Sequence, residues 1–216
     1  MAKRKKSVKR VGFLLDETGS MQVRKDETIV AVNNYFEMLR EEKAVVTFAT
    51  FDTAQGVNFR FTDTPAKDIP DLTAQTYRPN AMTPLHDAVG KMIGEMGTQA
   101  QADDKVLIVV VTDGEENSSR EFNLAKVREL IQQKEQAGWA FAYIGATADA
   151  WAGGGQMGVA AASVLNVRGD QMMGAMRAQA AATADYFADR VTGKNLYSLS
   201  RHLVEDDDDT DKPKKA

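Results

Sequence analysis

The chain has 216 residues, of which 43% are hydrophobic and 27% are charged, and its formal net charge is −4. This composition is typical of one ordinary soluble domain with a hydrophobic core of normal size. Because there is no cysteine and there are only two histidines, the sequence excludes disulfides, thiolate zinc sites and a cysteine nucleophile, and it argues against a histidine-rich metal site.

The two ends of the chain carry opposite charges. We expect residues 1–7 to form a flexible basic arm, residues 8–202 to form the folded domain, and residues 203–216 to form a disordered acidic tail. A basic arm could contact nucleic acid, but no aromatic residues are interleaved for base stacking, which argues against that contact. The charged residues at the two ends are Lys3, Arg4, Lys5, Lys6, Lys9 and Arg10, and then Glu205 to Asp209 with Asp211.

The sequence shows no apolar run that approaches the length of a membrane span. The basic start resembles the first part of a signal peptide. However, the apolar stretch that follows, Val11 to Leu15, is short and is ended by Asp16. We therefore expect a cytoplasmic protein that does not contact a membrane.

The first part of the chain predicts a strand, a helix and a β-hairpin. Apolar residues recur at helical spacing after the first strand, and alternation marks the second arm of the hairpin. Three prolines between residues 62 and 80 indicate a loop, with one short helix near residues 66–72. The predicted elements are a strand over Val8–Leu15, a helix over Met21–Arg40, and hairpin strands over Ala44–Phe51 and Val57–Phe61.

The second part alternates helices with strands. Thr83 is a candidate N-cap for a helix that starts with Pro84. Residues 149–158 are ambiguous, and their three consecutive glycines indicate a loop. The methionines of the last helix are expected in the core. The predicted elements are helices over Pro84–Met96, Asn123–Ala137 (closed by Gly138) and Asp170–Arg190, and strands over Lys105–Thr112, Trp139–Ile144 and Ser163–Val167.

This order of elements predicts an α/β fold. Strands that alternate with helices form a doubly wound, mostly parallel sheet with helices on both faces, and the early hairpin adds one antiparallel edge strand. In such sheets, ligands bind at the carboxyl ends of the central strands.

Three short segments place oxygen-bearing side chains at that edge. Asp16, Thr18 and Ser20 follow the first strand, Thr83 precedes a helix, and Asp113 follows the strand Lys105–Thr112. Carboxylate and hydroxyl oxygens are the ligands that a hard divalent cation needs. Each segment alone has a simpler interpretation as a turn or a helix cap. Together, at neighbouring strand ends, they predict a metal site.

The pattern Asp16-Glu-Thr18-Gly-Ser20, then Thr83, then Asp113-Gly resembles the metal-ion-dependent adhesion site of von Willebrand factor A domains. The order of predicted strands and helices resembles that Rossmann-like family over nearly the whole chain. Thr18 stands where the family usually has serine. Ala81 and Met82 precede Thr83 where many members have glycines.

The resemblance implies that Thr18 and Ser20 ligate the ion directly and that Asp16 and Asp113 often act through water. Thr83 would switch between direct and indirect contact. A glutamate or aspartate of a protein partner would supply the missing ligand. The ion would be Mg²⁺, with Mn²⁺ or Ca²⁺ as other possibilities. The resemblance also suggests a stand-alone bacterial or bacteriophage adaptor that works with a separate AAA+ ATPase, since the chain lacks a phosphate-binding loop motif of its own.

Two other functions remain open from the sequence. A magnesium-dependent phosphohydrolase would be compatible with aspartates at strand ends, but the three motifs contain no histidine or lysine for acid–base chemistry. We therefore expect a protein that is not an enzyme. A structural subunit of a larger assembly, such as a phage complex, is the other possibility, and the sequence leaves the oligomeric state open.

Three residues near the motifs allow two interpretations each. His86 could face the metal site, or it could be a hydrogen-bonded histidine on its helix. Glu115 and Glu116 could border the metal, or they could form an exposed acidic turn.

Overall fold

The computed structural model describes residues 7–145, 148–167, 171–200 and 202–205. At its centre six strands form one sheet, in the order β3-β2-β1-β4-β5-β6. Five strands are parallel, and β3, at one edge, is antiparallel to β2. The predicted mostly parallel sheet with one antiparallel edge strand is confirmed. The strands are β1 (Lys9–Asp16), β2 (Val45–Asp52), β3 (Gly56–Pro65), β4 (Lys105–Thr112), β5 (Ala140–Gly145) and β6 (Val164–Asn166).

Helices cover both faces of this sheet, as predicted. Neighbouring residues of β1 contribute to two separate hydrophobic clusters, because side chains alternate between the faces of a strand. Phe13 packs with residues of α1 and α5, whereas Leu14 packs with residues of α2 and α3. The helices are α1 (Lys25–Glu41), α2 (Leu85–Gln99), α3 (Leu124–Gln136), α4 (Ala148–Gln156), α5 (Met172–Phe187) and α6 (His202–Glu205).

The two central strands, β1 and β4, are buried from their second residue to their last. Their near-continuous apolar sequences suit strands that are covered on both faces. Leu15 pairs with Val111 in the parallel register, so Asp16 and Thr112 end their strands at the same level of the sheet.

Several predicted boundaries need correction. The helix predicted from Met21 begins as a 3-10 helix, Gly19–Arg24, and becomes α-helical at Lys25. The short helix near residues 66–72 is a 3-10 turn, Ala66–Asp68. Thr83 is not the N-cap of α2, because Pro84 occupies that position and no side chain caps the helix.

The glycine run at residues 153–155 is helical and not a loop, since it lies within α4. A Cβ atom at Gly154 would lie 2.8 Å from the ring of Tyr143 on β5. The glycine therefore lets the helix pack closely against the strand. This tertiary contact explains how residues of low helix propensity are kept in a helix.

The end of the chain also differs from the prediction. The first three residues of the predicted acidic tail, 203–205, belong to α6, because Val204 is only 8% exposed and packs into the core. Residues 1–6, which include most of the basic arm, and residues 206–216 lie outside the described part of the chain. Residues 168–170, where the last long helix was predicted to begin, also lie outside it, and α5 begins at Met172.

The methionines of α5 are core residues, as predicted. Met172 and Met176 are 0% and 2% exposed, and Met173 packs against the same cluster. Within the described ranges, no helix has the length and apolar character that crossing a membrane requires.

Candidate metal centre

Asp16, at the end of β1, is completely buried and connects two loops. Its Oδ1 atom accepts a hydrogen bond from the backbone N–H of Thr18 at 2.7 Å. Its Oδ2 atom accepts one from the Thr112 hydroxyl at 2.5 Å. Both donors are neutral, so these bonds orient the carboxylate without neutralising its charge.

The hydroxyls of Thr18 and Ser20 continue this arrangement toward the loop after β4. Thr18 Oγ1 lies 3.2 Å from Ser20 Oγ. Ser20 Oγ in turn donates a hydrogen bond to Asp113 Oδ1 at 2.5 Å. The alternate residues 16, 18 and 20 therefore face one place, where they meet the carboxylate from the second loop.

Thr83 reaches the same place from a third loop. A Cβ atom at Gly114 would lie 2.8 Å from Thr83 Oγ1 and 3.6 Å from Asp16 Oδ2. A side chain at position 114 would therefore force its neighbours to shift. Gly114 therefore allows Thr83 and Asp16 to lie close together.

The loop that carries Thr83 is held from two sides. Thr83 N–H donates to Asn117 Oδ1 at 2.9 Å, and Asn117 N–H donates to the Thr83 carbonyl at 3.2 Å. On the other side, Gly19 N–H donates to the carbonyl of Ala81 at 3.1 Å. Ala81 has a φ angle of +65°, a left-handed conformation that a residue other than glycine adopts at an energetic cost.

Burial controls the electrostatics of the two carboxylates. It raises the pKa of Asp16 to about 6, against the lowering effect of the hydrogen bonds from Thr112 and Thr18, and the nearby charge of Asp113 raises it further. Burial also raises the pKa of Asp113, although Ser20 donates to it and Arg24 Nε lies 3.6 Å from its Oδ2 atom. A bound cation would favour the ionised form of both groups.

Glu17, between two of the predicted ligands, supports the site from behind. It is 3% exposed, and its carboxylate accepts hydrogen bonds from Arg60 Nη2 at 2.6 Å and from the Arg78 N–H at 2.5 Å. Tyr77 donates to the carbonyl of Asp16 at 2.7 Å. The sequence analysis missed these roles. The only sequence signal was the alternation of an extended chain, which makes the side chain of Glu17 point away from those of Asp16 and Thr18.

Two further acidic residues, Asp87 and Glu116, hold the loop after β4 against the start of α2. Glu116 accepts hydrogen bonds from the backbone N–H groups of Ser118, Ser119 and His86 at 2.7–2.8 Å. Of the two predicted interpretations, an exposed acidic turn is therefore wrong for Glu116, whereas Glu115 is exposed. Asp87 accepts bonds from three consecutive N–H groups, those of Arg120, Glu121 and Phe122.

His86 does not join the five predicted ligands. Its Nδ1 atom lies 3.6 Å from Glu116 Oε2, and its side chain faces a neighbouring cavity. The five predicted ligands are brought together by the three loops. Four of them, Thr18, Ser20, Thr83 and Asp113, line an open cavity of about 470 Å³, and Asp16 lies behind it.

This donor set suits a hard divalent cation. Two carboxylates and three hydroxyls offer only oxygen atoms, as Mg²⁺ prefers, and the open cavity leaves room for water or for an incoming ligand. In the described part of the chain, no group of three or more His, Cys, Asp or Glu side chains could hold a metal. A metal at this edge would therefore depend on the hydroxyls as well as on the carboxylates.

Solved structures with the same fold come from several kinds of protein. Proximal thread matrix protein 1 from the mussel byssus is 14% identical, with a TM-score of 0.59, over 91% of this chain and 48% of that one. The pilus adhesin SpaC from Lactobacillus rhamnosus GG is 10% identical, with a TM-score of 0.66, over 85% of this chain and 31% of that one. This chain thus spans half or less of the length of these two proteins.

The VWA domain of SpRpn10 is closer in size. It is 12% identical, with a TM-score of 0.54, over 80% of this chain and 95% of that one. One structure of the mussel protein has zinc in its metal-ion-dependent adhesion site. A search of the curated proteins finds no match. The sequence model of the von Willebrand factor type A domain matches residues 11–164, so the chain belongs to that family.

Proposed function

We propose that this chain is a metal-dependent protein-binding module. A divalent cation, preferably Mg²⁺, would be held by Asp16, Thr18, Ser20, Thr83 and Asp113, and it would bind a carboxylate of a partner protein. The observation that carries the proposal is the convergence of these five side chains, from three loops, at one sheet edge.

The donor set supports this division of roles. When bound, the ion supplies an electrophilic centre for an anionic ligand. The hydroxyls of Thr18, Ser20 and Thr83 would hold it without adding charge, and Asp16 and Asp113 would supply the negative charge. Where the carboxylates act through water, the ion keeps enough positive charge to attract another carboxylate.

An exposed apolar side chain in the cavity wall supports a protein partner over a small anion. Met82 lines the cavity, directly precedes Thr83 and is 55% exposed. Methionine is enriched at protein–protein interfaces.

The proposal includes that the site is not catalytic. The five side chains include no histidine, lysine or cysteine, and their two carboxylates would be engaged with the metal. We expect no phosphatase turnover with Mg²⁺. The cytoplasmic location, the bacterial or phage origin, the AAA+ ATPase partner and the role in a larger assembly stay predictions of the sequence.

Metal binding itself is the first test. We expect Mn²⁺, followed by electron paramagnetic resonance, to bind the wild-type chain at one site and to be displaced by Mg²⁺. Asp113→Ala and Ser20→Ala should weaken binding at least about tenfold, since each removes a ligand or its orienting partner. Asp103→Ala, which removes an exposed carboxylate elsewhere, is the matched control. Equal Mn²⁺ affinity in all four proteins would refute the proposal.

A further inference from the structure

A second cavity of about 440 Å³ lies beside the metal cavity and shares two residues with it, Gly114 and Glu115. The start of α2, the loop after β4, and β5 with α4 form its walls. Because the two cavities share a border, a partner segment bound at the metal would also reach the second one. The lining of the second cavity also includes Leu85, His86, Glu116, Tyr143, Gly153 and Met157.

Tyr143 brings a buried hydroxyl without a partner to this cavity. Its side chain is 0% exposed, and its hydroxyl has no hydrogen-bond partner among the residues that the structure describes. Gly153 also lines the cavity, and a Cβ atom there would lie 3.3 Å from Tyr143 Oη. The hydroxyl end of the ring therefore lies on the cavity side formed by Gly153. An unsatisfied buried hydroxyl is unfavourable, and a ligand group could satisfy it.

The charge of the lining selects the kind of ligand. Glu115 is exposed at the border of the two cavities, and Glu116 lies behind it, held by backbone N–H groups and by the Ser119 hydroxyl at 2.6 Å. Of the described residues that line the cavity, none is lysine or arginine. The carboxylates only accept hydrogen bonds, and the Tyr143 hydroxyl can accept one as well as donate one, so the acidic lining favours a cationic donor.

We propose that this second cavity binds a basic side chain, lysine or arginine, of the same partner segment whose carboxylate binds the metal. Glu115 would pair with the cationic head, and Tyr143 Oη would accept a hydrogen bond from it. Leu85 and Met157 would contact the aliphatic stem of the side chain. The inference rests on the proposed function, and it adds that the partner segment carries both charges.

Capped synthetic peptides test this directly. Each contains one glutamate in a glycine-rich sequence, with one lysine placed one, two or three positions away on either side. Matched peptides carry norleucine in place of lysine. Binding to the full chain is measured by competition in Mg²⁺ and again in EDTA. We expect at least one lysine peptide to bind about twofold to fivefold more tightly than its norleucine match, the gain of a partly exposed ion pair, and only in Mg²⁺.

The outcomes separate the two proposals. If no glutamate peptide binds in Mg²⁺, both the proposed function and this inference are overturned. If the glutamate peptides bind in Mg²⁺ but lysine and norleucine peptides have equal affinity, only the inference is overturned.

Three variants locate the lysine effect. Glu115→Gln and Tyr143→Phe should each reduce the gain from lysine. Glu129→Gln, which neutralises an exposed carboxylate on α3, should leave that gain unchanged. Because Tyr143→Phe removes a hydroxyl without a described partner, it should not lower the thermal stability. A full lysine gain that persists in both Glu115→Gln and Tyr143→Phe would contradict the assignment to this cavity.

Discussion

The parallel strands β1 and β4 have their first residues along one side of the sheet, the starting edge, and their last residues along the opposite side, the ending edge. Buried carboxylates have different hydrogen-bond partners at these two edges. At the starting edge, Arg10 donates from Nε to Asp104 Oδ2 at 2.7 Å and from Nη1 to Asp63. At the ending edge, Asp16 accepts hydrogen bonds from neutral donors, and a second carboxylate, Asp113, lies nearby.

The pKa values of the aspartates show the same contrast. Burial alone would raise the pKa of Asp104, but hydrogen bonds from Arg10 and from backbone N–H groups outweigh it, and the pKa is lowered. Burial prevails for Asp16 and Asp113, whose pKa values are raised. The chain therefore supplies the balancing charge for Asp104 through Arg10. At the ending edge Arg24 lies near Asp113 only, and a cation from solution would balance the buried Asp16, whose hydrogen-bond donors are neutral.

The largest expected effect comes from removing the cation of the starting edge. In Arg10→Met, the nearly buried carboxylate of Asp104 loses its partner, and we expect a loss of about 3 kcal/mol in the free energy of unfolding. Urea denaturation in EDTA measures it. Lys126→Met breaks the exposed Lys126–Glu129 pair on α3, and we expect a change below about 0.5 kcal/mol. Similar losses in both variants would remove the distinction between a buried and an exposed pair.

The next largest effect depends on pH. Asp104 has a folded-state pKa below its ordinary value of 3.8, so its ionised form stabilises the fold above pH 3.8. This contribution is lost as the pH falls from 3.8 through the folded-state pKa. In Asp104→Asn we expect a loss of about 2 kcal/mol at pH 7, because Arg10 is left without its main partner.

Below pH 3.8, the difference between wild type and Asp104→Asn should shrink toward zero. Urea denaturation at a series of pH values follows it. A difference that stays constant between pH 7 and pH 3 would mean that Asp104 acts through its shape and not through its charge.

At the ending edge, Gly114→Ala should affect the metal more than the fold. The added Cβ would lie 2.8 Å from Thr83 Oγ1, so the Thr83 side chain or the backbone at position 114 must shift. We expect the dissociation constant for Mn²⁺ to rise about tenfold, which corresponds to about 1.4 kcal/mol. Gly94→Ala is the control, because nothing lies within 4 Å of a Cβ atom there. Unchanged Mn²⁺ affinity in Gly114→Ala would mean that Thr83 does not contribute to the site.

The smallest effect concerns the backbone of the Thr83 loop. Ala81 is held at a φ angle of +65°, so Ala81→Gly removes strain in the folded state but adds freedom to the unfolded state. We expect a net gain of about 0.5 kcal/mol in the free energy of unfolding, seen as a slightly higher melting temperature in EDTA. A lower melting temperature would show that the Ala81 methyl group makes a contact more valuable than the strain it causes.

The sequence predicted the parallel sheet and the meeting of the three loops for one physical reason. The apolar run of β4 is typical of a covered central strand, and the carboxyl ends of parallel strands lie at the same edge of a sheet. Asp16 and Asp113 were therefore close by topology, before any side-chain contact was known. Their role as metal ligands remains a proposal.

Other features could not be predicted because they depend on contacts distant in sequence. Asp87 and Glu116 have the usual character of exposed acidic residues. However, Asp87 accepts hydrogen bonds from the backbone N–H groups of residues 120 and 121, and Glu116 accepts one from the backbone N–H group of His86. The glycines of α4 indicated a loop until Tyr143 was found packed against them. Thr83 combines the features of a helix cap and of a ligand, and sequence alone cannot assign it to one of them.

The hydrogen bonds that hold the Thr83 loop also have a consequence for how fast and how selectively the site would bind a metal ion. Asn117 and Gly19 already fix the two sides of that loop. The ligands would therefore be preorganised, and the loop would lose little conformational entropy when an ion binds. Association would then be governed by diffusion and by the dehydration of the ion. The site would then prefer Mg²⁺ to Ca²⁺, because ligands that cannot move apart disfavour the larger ion.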